Sequence, residues 1–397
     1  MRKEVGMPFH IASPEEILQG KVTDVYFVNV VKALRSLRLN PRVAMEVRAS
    51  SLPAGWTWAI FAGLEEAMEI LQGRDVDLFS MPEGTLFRAE DTVLILEGRY
   101  LEFAVLETAL LGLLCQASGV ATKAARCRLA AGDRMVLSFG ARRMHPSITP
   151  MIERNAFIGG CDGVSVVASA ELIGEKPLGT MSHSLMICVG DEERAFLAFD
   201  ASADSYIRRV ALVDTFQDEK FGALTAARAL GDKLFAVRLD TPSSRRGDFL
   251  KIMREVRWEL DLRGFEKVKI FLSGGLDEYD ILRYNPYADA YGVGTSISNA
   301  PVVDYSLDVV EVEGEPRAKR GKLSGKKQTW RCASCGRSDI VPWEKEAPSC
   351  PCGGVREPLL RKFLSAGKLV QDLPSSQDIR GYVLGQIEGL AIEPPSQ

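Results

Sequence analysis

The sequence predicts an α/β protein in three parts: an N-terminal α+β domain, an α/β barrel, and a C-terminal segment built round four cysteines. Three observations carry this. Between Arg134 and Gly294, short β-rich apolar runs alternate with stretches of helical apolar spacing. The first 110 residues lack that alternation and mix helices with isolated strands. Beyond Pro316 the composition shifts to a basic run followed by Cys332, Cys335, Cys350 and Cys352. The boundaries expected are 1–110, 111–315 and 316–397.

The 397 residues are 46% hydrophobic and 26% charged, the balance of an ordinary globular protein of two or three domains. Fibrous and disordered classes are excluded. Acidic residues number 53 against 49 basic ones, a net charge of -4, so whole-chain charge gives nucleic-acid binding no support. No apolar run approaches the ~18 residues of a membrane span, and Met1 to Phe9 carries no apolar core of an export signal. A cytoplasmic protein without membrane contact is expected.

In the first domain, helices are expected at 14–19, 24–37 and 61–71, and antiparallel strands at 42–49, 77–79 and 92–97. An apolar helix over 106–131 links it to the barrel. The barrel strands are expected at 135–139, 164–168, 196–199, 210–213, 235–239, 268–272 and 288–293. Strands separated by helices pair in parallel. Seven such units in about 160 residues suit a closed or nearly closed barrel; a doubly wound sheet is the alternative.

The C-terminal part opens with Arg317 to Arg331, seven basic residues and no acidic one. Cys332-x2-Cys335-x14-Cys350-x-Cys352 follows. Four thiolates in two close pairs can close a tetrahedron round Zn²⁺, and with every position filled such a metal is structural. The alternative is four reduced thiols in an irregular loop. An amphipathic helix at 375–388 is expected to dock on the body, and the Pro-rich end 393–397 to be loose.

Several strand ends carry chemistry. Ser273-Gly274-Gly275-Leu276-Asp277 and Gly292-Val293-Gly294-Thr295 close successive units. Strand tips of a parallel barrel form its ligand site, and glycines let backbone N–H groups approach phosphate oxygens. Phe139-Gly140-Ala141-Arg142-Arg143 offers guanidinium groups to a carboxylate or phosphate, or is a solvated loop. Gly179-Thr180-Met181-Ser182-His183-Ser184 could bind an anion or exchange a proton; a helix cap with a satisfied histidine explains it equally. Arg238 and Asp240 alternate, so both point to one side, either into a barrel mouth or as a structural ion pair.

Taken in order, these segments resemble the nicotinate phosphoribosyltransferases of the shorter archaeal and bacterial kind, over almost the whole chain. The matching residues are Thr23-Asp24-Val25-Tyr26, Glu107-Thr108 and Phe139-Gly140 with Arg142-Arg143. Gly179-Thr180 with His183-Ser184, Arg238-Leu239-Asp240, Ser273 to Asp277 and Gly292 to Thr295 complete the set, with the lysine-rich segment and cysteine knuckle after them. The resemblance implies an irregular α/β barrel of the type II phosphoribosyltransferase kind. It implies that nicotinate and phosphoribosyl pyrophosphate are joined to give nicotinate mononucleotide and pyrophosphate. Mg²⁺ would accompany the pyrophosphate, and ATP hydrolysis is coupled in many members through a phosphohistidine, whose place His183 holds.

By the same resemblance, Asp240 steadies the ribose or its positive carbon, and Arg238 faces the phosphates. Gly274, Gly275, Gly294 and Thr295, with Ser273 and Thr180 beside them, would cradle phosphate. Phe139 would stack on the pyridine ring with Tyr26 of a neighbouring subunit, which requires at least a homodimer. Arg142 would approach the nicotinate carboxylate or an adjacent phosphate; Asp162 lies nearby by position. Within the same chemistry, quinolinate would ask for more cationic groups, and nicotinamide for a carboxylate acceptor such as Asp162. From another class, a zinc-ribbon nucleic-acid binder would use the 317–331 arm. That arm has Trp330 as its single aromatic, and no nucleic-acid partner is expected.

Overall fold

A computed structural model describes residues 9–53 and 55–393. The expectations for residues 1–8 and 394–397 lie outside these. The described residues form two compact units, each discontinuous: residues 9–122 with 301–386, and 123–300 with 387–393.

The first unit is built on a seven-stranded antiparallel sheet. Within it Arg42–Ala49 is flanked by Thr92–Arg99, the middle strand of the seven, and by Tyr305–Val312. Val76–Ser80 and Arg361–Ser365 extend it beyond Thr92–Arg99. The strand Tyr305–Val312, grouped with the barrel by the expected boundary at 315, thus belongs to this sheet. Nothing in its own residues names a partner some 260 positions away, because strand pairing is non-local. The expected helix at 61–71 is shorter, Leu64–Glu69. Residues Ala59–Ile60 form a strand paired with Leu86–Phe87 instead.

The basic run does not form a free arm. Lys319 and Lys322 pair with Asp308 at 2.6 and 2.9 Å, Lys326 with Glu97 at 2.6 Å, and Lys327 with Glu46 at 2.8 Å. From Lys327 the chain enters a three-stranded sheet that carries the cysteines: Lys327–Cys332 lies between Ser338–Pro342 and Arg356–Pro358. The last helix, Ser376–Ile387, packs as expected. Gln386 bonds the backbone of Gly84 and Leu86 at 2.8 and 2.9 Å.

The helix Glu107–Ala131 runs through both units. By length and composition alone the stretch Ala104–Ala131 could cross a membrane, with a mean hydropathy of 1.5 over 18 residues, a test that a buried core helix also passes. Half of that window is buried in protein. Its polar groups are spent there too: Thr122 Oγ1 accepts from the Ile60 N–H at 2.8 Å, and Ser118 Oγ from the Ala62 N–H at 3.0 Å.

The second unit holds a curled, six-stranded parallel sheet. In chain order its strands are Met135–Ser138, Gly163–Val164, Arg209–Leu212, Leu234–Leu239, Lys269–Ser273 and Ala290–Val293. The sixth pairs with the first, so the strands follow chain order round a ring that opens between the second and third. It is a half-barrel with six strands, where seven were expected. The residues 196–199 lie in a helix, Glu192–Ser202, whose N-cap Asp191 accepts from the Arg194 N–H at 2.8 Å. Ala195 and Phe196 are buried and Leu197 exposed, a helical pattern. A four-residue apolar run cannot by itself separate strand from buried helix. The run 164–168 likewise becomes helix from Val167.

Candidate functional site

The C-terminal tips of the first, fourth, fifth and sixth parallel strands converge on one cavity of about 510 Å³. Phe139, Arg142 and Arg143 follow the first strand, Asp240 the fourth, Gly274 and Gly275 the fifth, Gly294 and Thr295 the sixth. Arg238, Ser273 and Gly292 line it from within the strands.

At its centre is a hub of hydrogen bonds. Arg238 donates through Nε to Ser273 Oγ at 2.8 Å and through Nη1 to Thr180 Oγ1 at 2.7 Å, while Nη2 stands 3.2 Å from Asp240 Oδ2. Ser273 Oγ donates to Asp240 Oδ1 at 2.6 Å. His183 Nε2 lies 3.4 Å from Asp240 Oδ2, and its Nδ1 is 3.1 Å from Thr215 Oγ1. Both alternatives for Arg238 and Asp240 hold together: they are an ion pair, and they line the mouth. Burial pushes the Asp240 carboxyl up, but the Arg238 charge and the bonds from Ser273 and Arg238 outweigh it and hold the group below its ordinary range. Asp240 therefore keeps its negative charge.

The walls differ. Phe139 packs on Phe271 with ring centroids 5.9 Å apart, and the Arg238 guanidinium lies 5.6 Å from the Phe139 centroid. Arg142 and Arg143 are exposed, with no carboxylate partner among the described residues. Gly274 and Gly275 both take positive φ, +93° and +72°, the left-handed region that glycine tolerates. A Cβ on Gly274 would also stand 2.9 Å from Arg246 Nη2. Flat apolar wall, free cations and open backbone together suit an aromatic acid beside a phosphorylated sugar.

His183 opens the helix His183–Val189 behind its cap Ser182 and reaches Asp240 from there. Two expected residues fall elsewhere. Tyr26 belongs to the first unit, where it is 54% exposed on the helix Val25–Ser36. Asp162 Oδ2 is taken by Arg128 at 2.7 Å and the Val136 N–H at 2.8 Å, and Asp162 does not line this cavity.

Two residues went unrecognised in the sequence. Asp214 follows the third strand; its Oδ2 accepts from the Asp240 N–H at 3.2 Å. Burial, then the neighbouring Asp240 charge, raise Asp214 to about 6, and the His183 charge opposes them. Arg246 lines the cavity, tied by Nε to Thr241 O at 2.7 Å and by Nη2 to the Gly274 carbonyl. The strand-tip rule that found Asp240 points equally to Asp214; Ser243-Ser244-Arg245-Arg246-Gly247 after the fourth strand is the signal for Arg246.

In the first unit, the Sγ atoms of Cys332, Cys335, Cys350 and Cys352 all lie within 4.8 Å of one another. Neighbouring pairs are 3.4 to 3.5 Å apart. That is far beyond a disulfide bond of about 2.05 Å and near the ~3.8 Å edge of a tetrahedron with Zn–S bonds of ~2.3 Å. Backbone N–H groups of Cys335 and Ser334 hold the Cys332 thiol down to about 6. At Cys352 the backbone N–H of Gly354 is outweighed by hydrogen bonds with Cys350, Cys335 and Cys332, which push that thiol up to about 12, so one thiolate sits among neighbouring thiols. The four residues fit a metal such as zinc.

Comparison with known proteins agrees with this geometry. Residues 24–118 match the family model for the quinolinate phosphoribosyl transferase N-terminal domain, and residues 120–308 that for its C-terminal domain. The nicotinate phosphoribosyltransferase pncB1 of Mycobacterium tuberculosis is 31% identical, over 79% of this chain and 78% of its own. A solved structure of a nicotinate-nucleotide pyrophosphorylase from Pyrococcus furiosus is 52% identical, with a TM-score of 0.94 over 96% of this chain and 98% of that one. Human nicotinic acid phosphoribosyltransferase, 23% identical, shares the fold with a TM-score of 0.73 over 94% and 96%. The fold is thus of the type II phosphoribosyltransferase kind, an α+β domain with an incomplete α/β barrel, and the chain is an enzyme of the nicotinate phosphoribosyltransferase family.

Proposed function

We propose that this enzyme joins nicotinate to phosphoribosyl pyrophosphate, releasing nicotinate mononucleotide and pyrophosphate for NAD salvage in the cytoplasm. The observation that carries the reading is the cavity itself: the aromatic wall at Phe139 and the cations Arg142 and Arg143, unpaired among the described residues, line one space with the Arg238–Asp240–Ser273 hub. Family membership supports it.

In the reaction, pyrophosphate leaves as the anomeric carbon gains positive charge. Asp240, kept ionised by Arg238 and Ser273, steadies that carbon or the ribose hydroxyls. Arg238, with Arg246 beside it, balances the phosphate charge. The backbone at Gly274, Gly275, Gly294 and Thr295 cradles phosphate oxygens, while Ser273 and Thr180 orient Arg238. Phe139 stacks on the pyridine ring and Arg142 grips its carboxylate. Tyr26 of a neighbouring subunit covers the other face, so the active species is at least a homodimer. Mg²⁺ would travel with the pyrophosphate, and the carboxylate oxygens of Asp214 and Asp240 are suitable hard donors for it. Zinc in the cysteine knuckle is structural. ATP coupling would use His183 as phosphate acceptor.

One observation favours a second reading. Arg143 faces the cavity beside Arg142, and two free guanidinium groups could hold the two carboxylates of quinolinate. Nicotinamide loses support because Asp162 is occupied by Arg128. The zinc-ribbon nucleic-acid reading loses support because the basic segment spends its lysines on Asp308, Glu97 and Glu46. The test is consumption of nicotinate, nicotinamide and quinolinate side by side with phosphoribosyl pyrophosphate and Mg²⁺, with and without ATP. Turnover of nicotinate is expected; turnover of quinolinate alone would replace the reading, and turnover of none would end it.

A further inference from the structure

Arg126 is a fully enclosed guanidinium, 0% exposed, within the second unit. Its three nitrogens are all engaged: Nε with Glu278 Oε1 at 3.0 Å, Nη1 with Glu393 Oε2 at 2.7 Å, and Nη2 with the Tyr279 hydroxyl at 3.4 Å. Lys123 contacts the other oxygen of Glu278. Two cations thus meet two carboxylates, the balance that a buried charge cluster requires. Lys123 and Arg126 come from the long helix, Glu278 from the sheet's surroundings; Glu393 comes from a separate segment, 267 positions from Arg126.

Glu278 has a particular place. It is 1% exposed and opens the helix Glu278–Tyr284, immediately after Asp277, whose carboxylate caps that helix through the Tyr279 and Asp280 N–H groups. Only Leu276 and Asp277 separate it from Gly275. Two successive glycines at positive φ cannot hold a loop in one shape unaided. The loop is held at three places: upstream by Ser273 on Arg238 and Asp240, within by Arg246 on the Gly274 carbonyl, and downstream by Glu278 on Arg126 and Lys123. Glu393 completes the downstream anchor.

We propose that Glu393 is a positioning residue for the Gly274–Gly275 loop, acting through Arg126 and Glu278, and that it sets affinity for phosphoribosyl pyrophosphate. This rests on the loop being the phosphate cradle. It also revises the expectation of a loose end from residue 393: Glu393 is held by a buried arginine, its side chain 23% exposed.

The test uses the full-length enzyme with Glu393→Gln, which keeps shape and loses charge, and a second variant whose chain stops after Ile392. KM for each substrate and kcat are measured together with amide hydrogen exchange across residues 274–280. In both variants, exchange in that segment accelerates. KM for phosphoribosyl pyrophosphate rises about tenfold, as misplaced positioning groups produce, while KM for nicotinate stays unchanged. Unchanged exchange in both variants overturns the strap. Faster exchange with an unchanged KM for phosphoribosyl pyrophosphate overturns the phosphate-cradle reading and leaves the strap standing. A parallel loss in kcat and both KM values, with no local change in exchange, reduces Glu393 to general stability and also overturns the proposal.

Discussion

Gly292 supports the face of Phe139: a Cβ built on it would stand 2.5 Å from Cε2 of that ring and 3.1 Å from Phe271. No real Cβ contact is that close, so even alanine must push the ring from its place. Gly292→Ala is therefore expected to raise KM for nicotinate about tenfold while phosphoribosyl pyrophosphate binding changes little. Steady-state kinetics with each substrate varied in turn checks this, and equal effects on both would remove Phe139 from the pyridine site.

Asp240 takes hydrogen bonds from Ser273 and Arg238 and faces His183. Asp240→Asn preserves the shape and the Ser273 bond but not the charge. Turnover is expected to fall about a hundredfold or more, and the melting temperature to fall as well, because Arg238 loses its carboxylate, with the variant still folded at assay temperature. Undiminished kcat would show that the charge does no work on the reacting sugar.

How far the sequence revealed this site follows from what each residue depends on. Asp240, Gly275 and Thr295 were legible because strand tips of a parallel sheet announce themselves by an apolar run that ends in small or charged residues. Phe196 was misplaced because its run is too short to distinguish strand from helix, and only the cap at Asp191 decides it. The pairing of Tyr305–Val312 with Arg42–Ala49 was not legible at all, since it joins segments far apart in the chain with the whole parallel sheet between them. The partners of Lys326 and Lys327 share that difficulty: a charge run shows on its own, but its counterions, Glu97 and Glu46, are fixed by the sheet.

Asp214 supplies a pH dependence. Its carboxyl is raised from 3.8 to about 6, first by burial and then by Asp240. Between these values the folded protein binds more protons than the unfolded chain, so stability falls as pH rises through this window. Asp214→Asn removes the penalty. The variant is expected to be the more stable one at pH 8, by on the order of 1–2 kcal/mol after allowance for solvent screening, with no advantage at pH 4. Thermal melts across that range test the sign. An advantage of equal size at both ends would exclude this titration as the cause.

The cysteine knuckle makes a compositional prediction: one zinc per chain by elemental analysis. Structural zinc contributes its binding energy to folding. Cys350→Ser, or stripping with a strong chelator, is expected to lower the melting temperature by about 5 °C or more. Nicotinate KM should be unaffected in whatever remains folded. A metal-free preparation with an unaltered melting curve would leave the four thiols without a structural metal.

Lys327 and Glu46 test the reading of the basic segment as structure. They meet at 2.8 Å with side chains only 5% and 6% exposed, and Lys327 also bonds the Gly325 carbonyl at 2.8 Å. Thr92 donates its hydroxyl to the other oxygen of Glu46. Replacing one partner of such a pair leaves an uncompensated buried charge, which costs about 3–5 kcal/mol. Lys327→Met should therefore destabilise by that amount in denaturant unfolding, and adding Glu46→Gln should recover much of it. Arg317 and Arg320 are exposed, so changing both to Gln should cost less than about 0.5 kcal/mol. A segment built to grip phosphates would behave the other way, tolerating loss of Lys327 and depending on its exposed arginines.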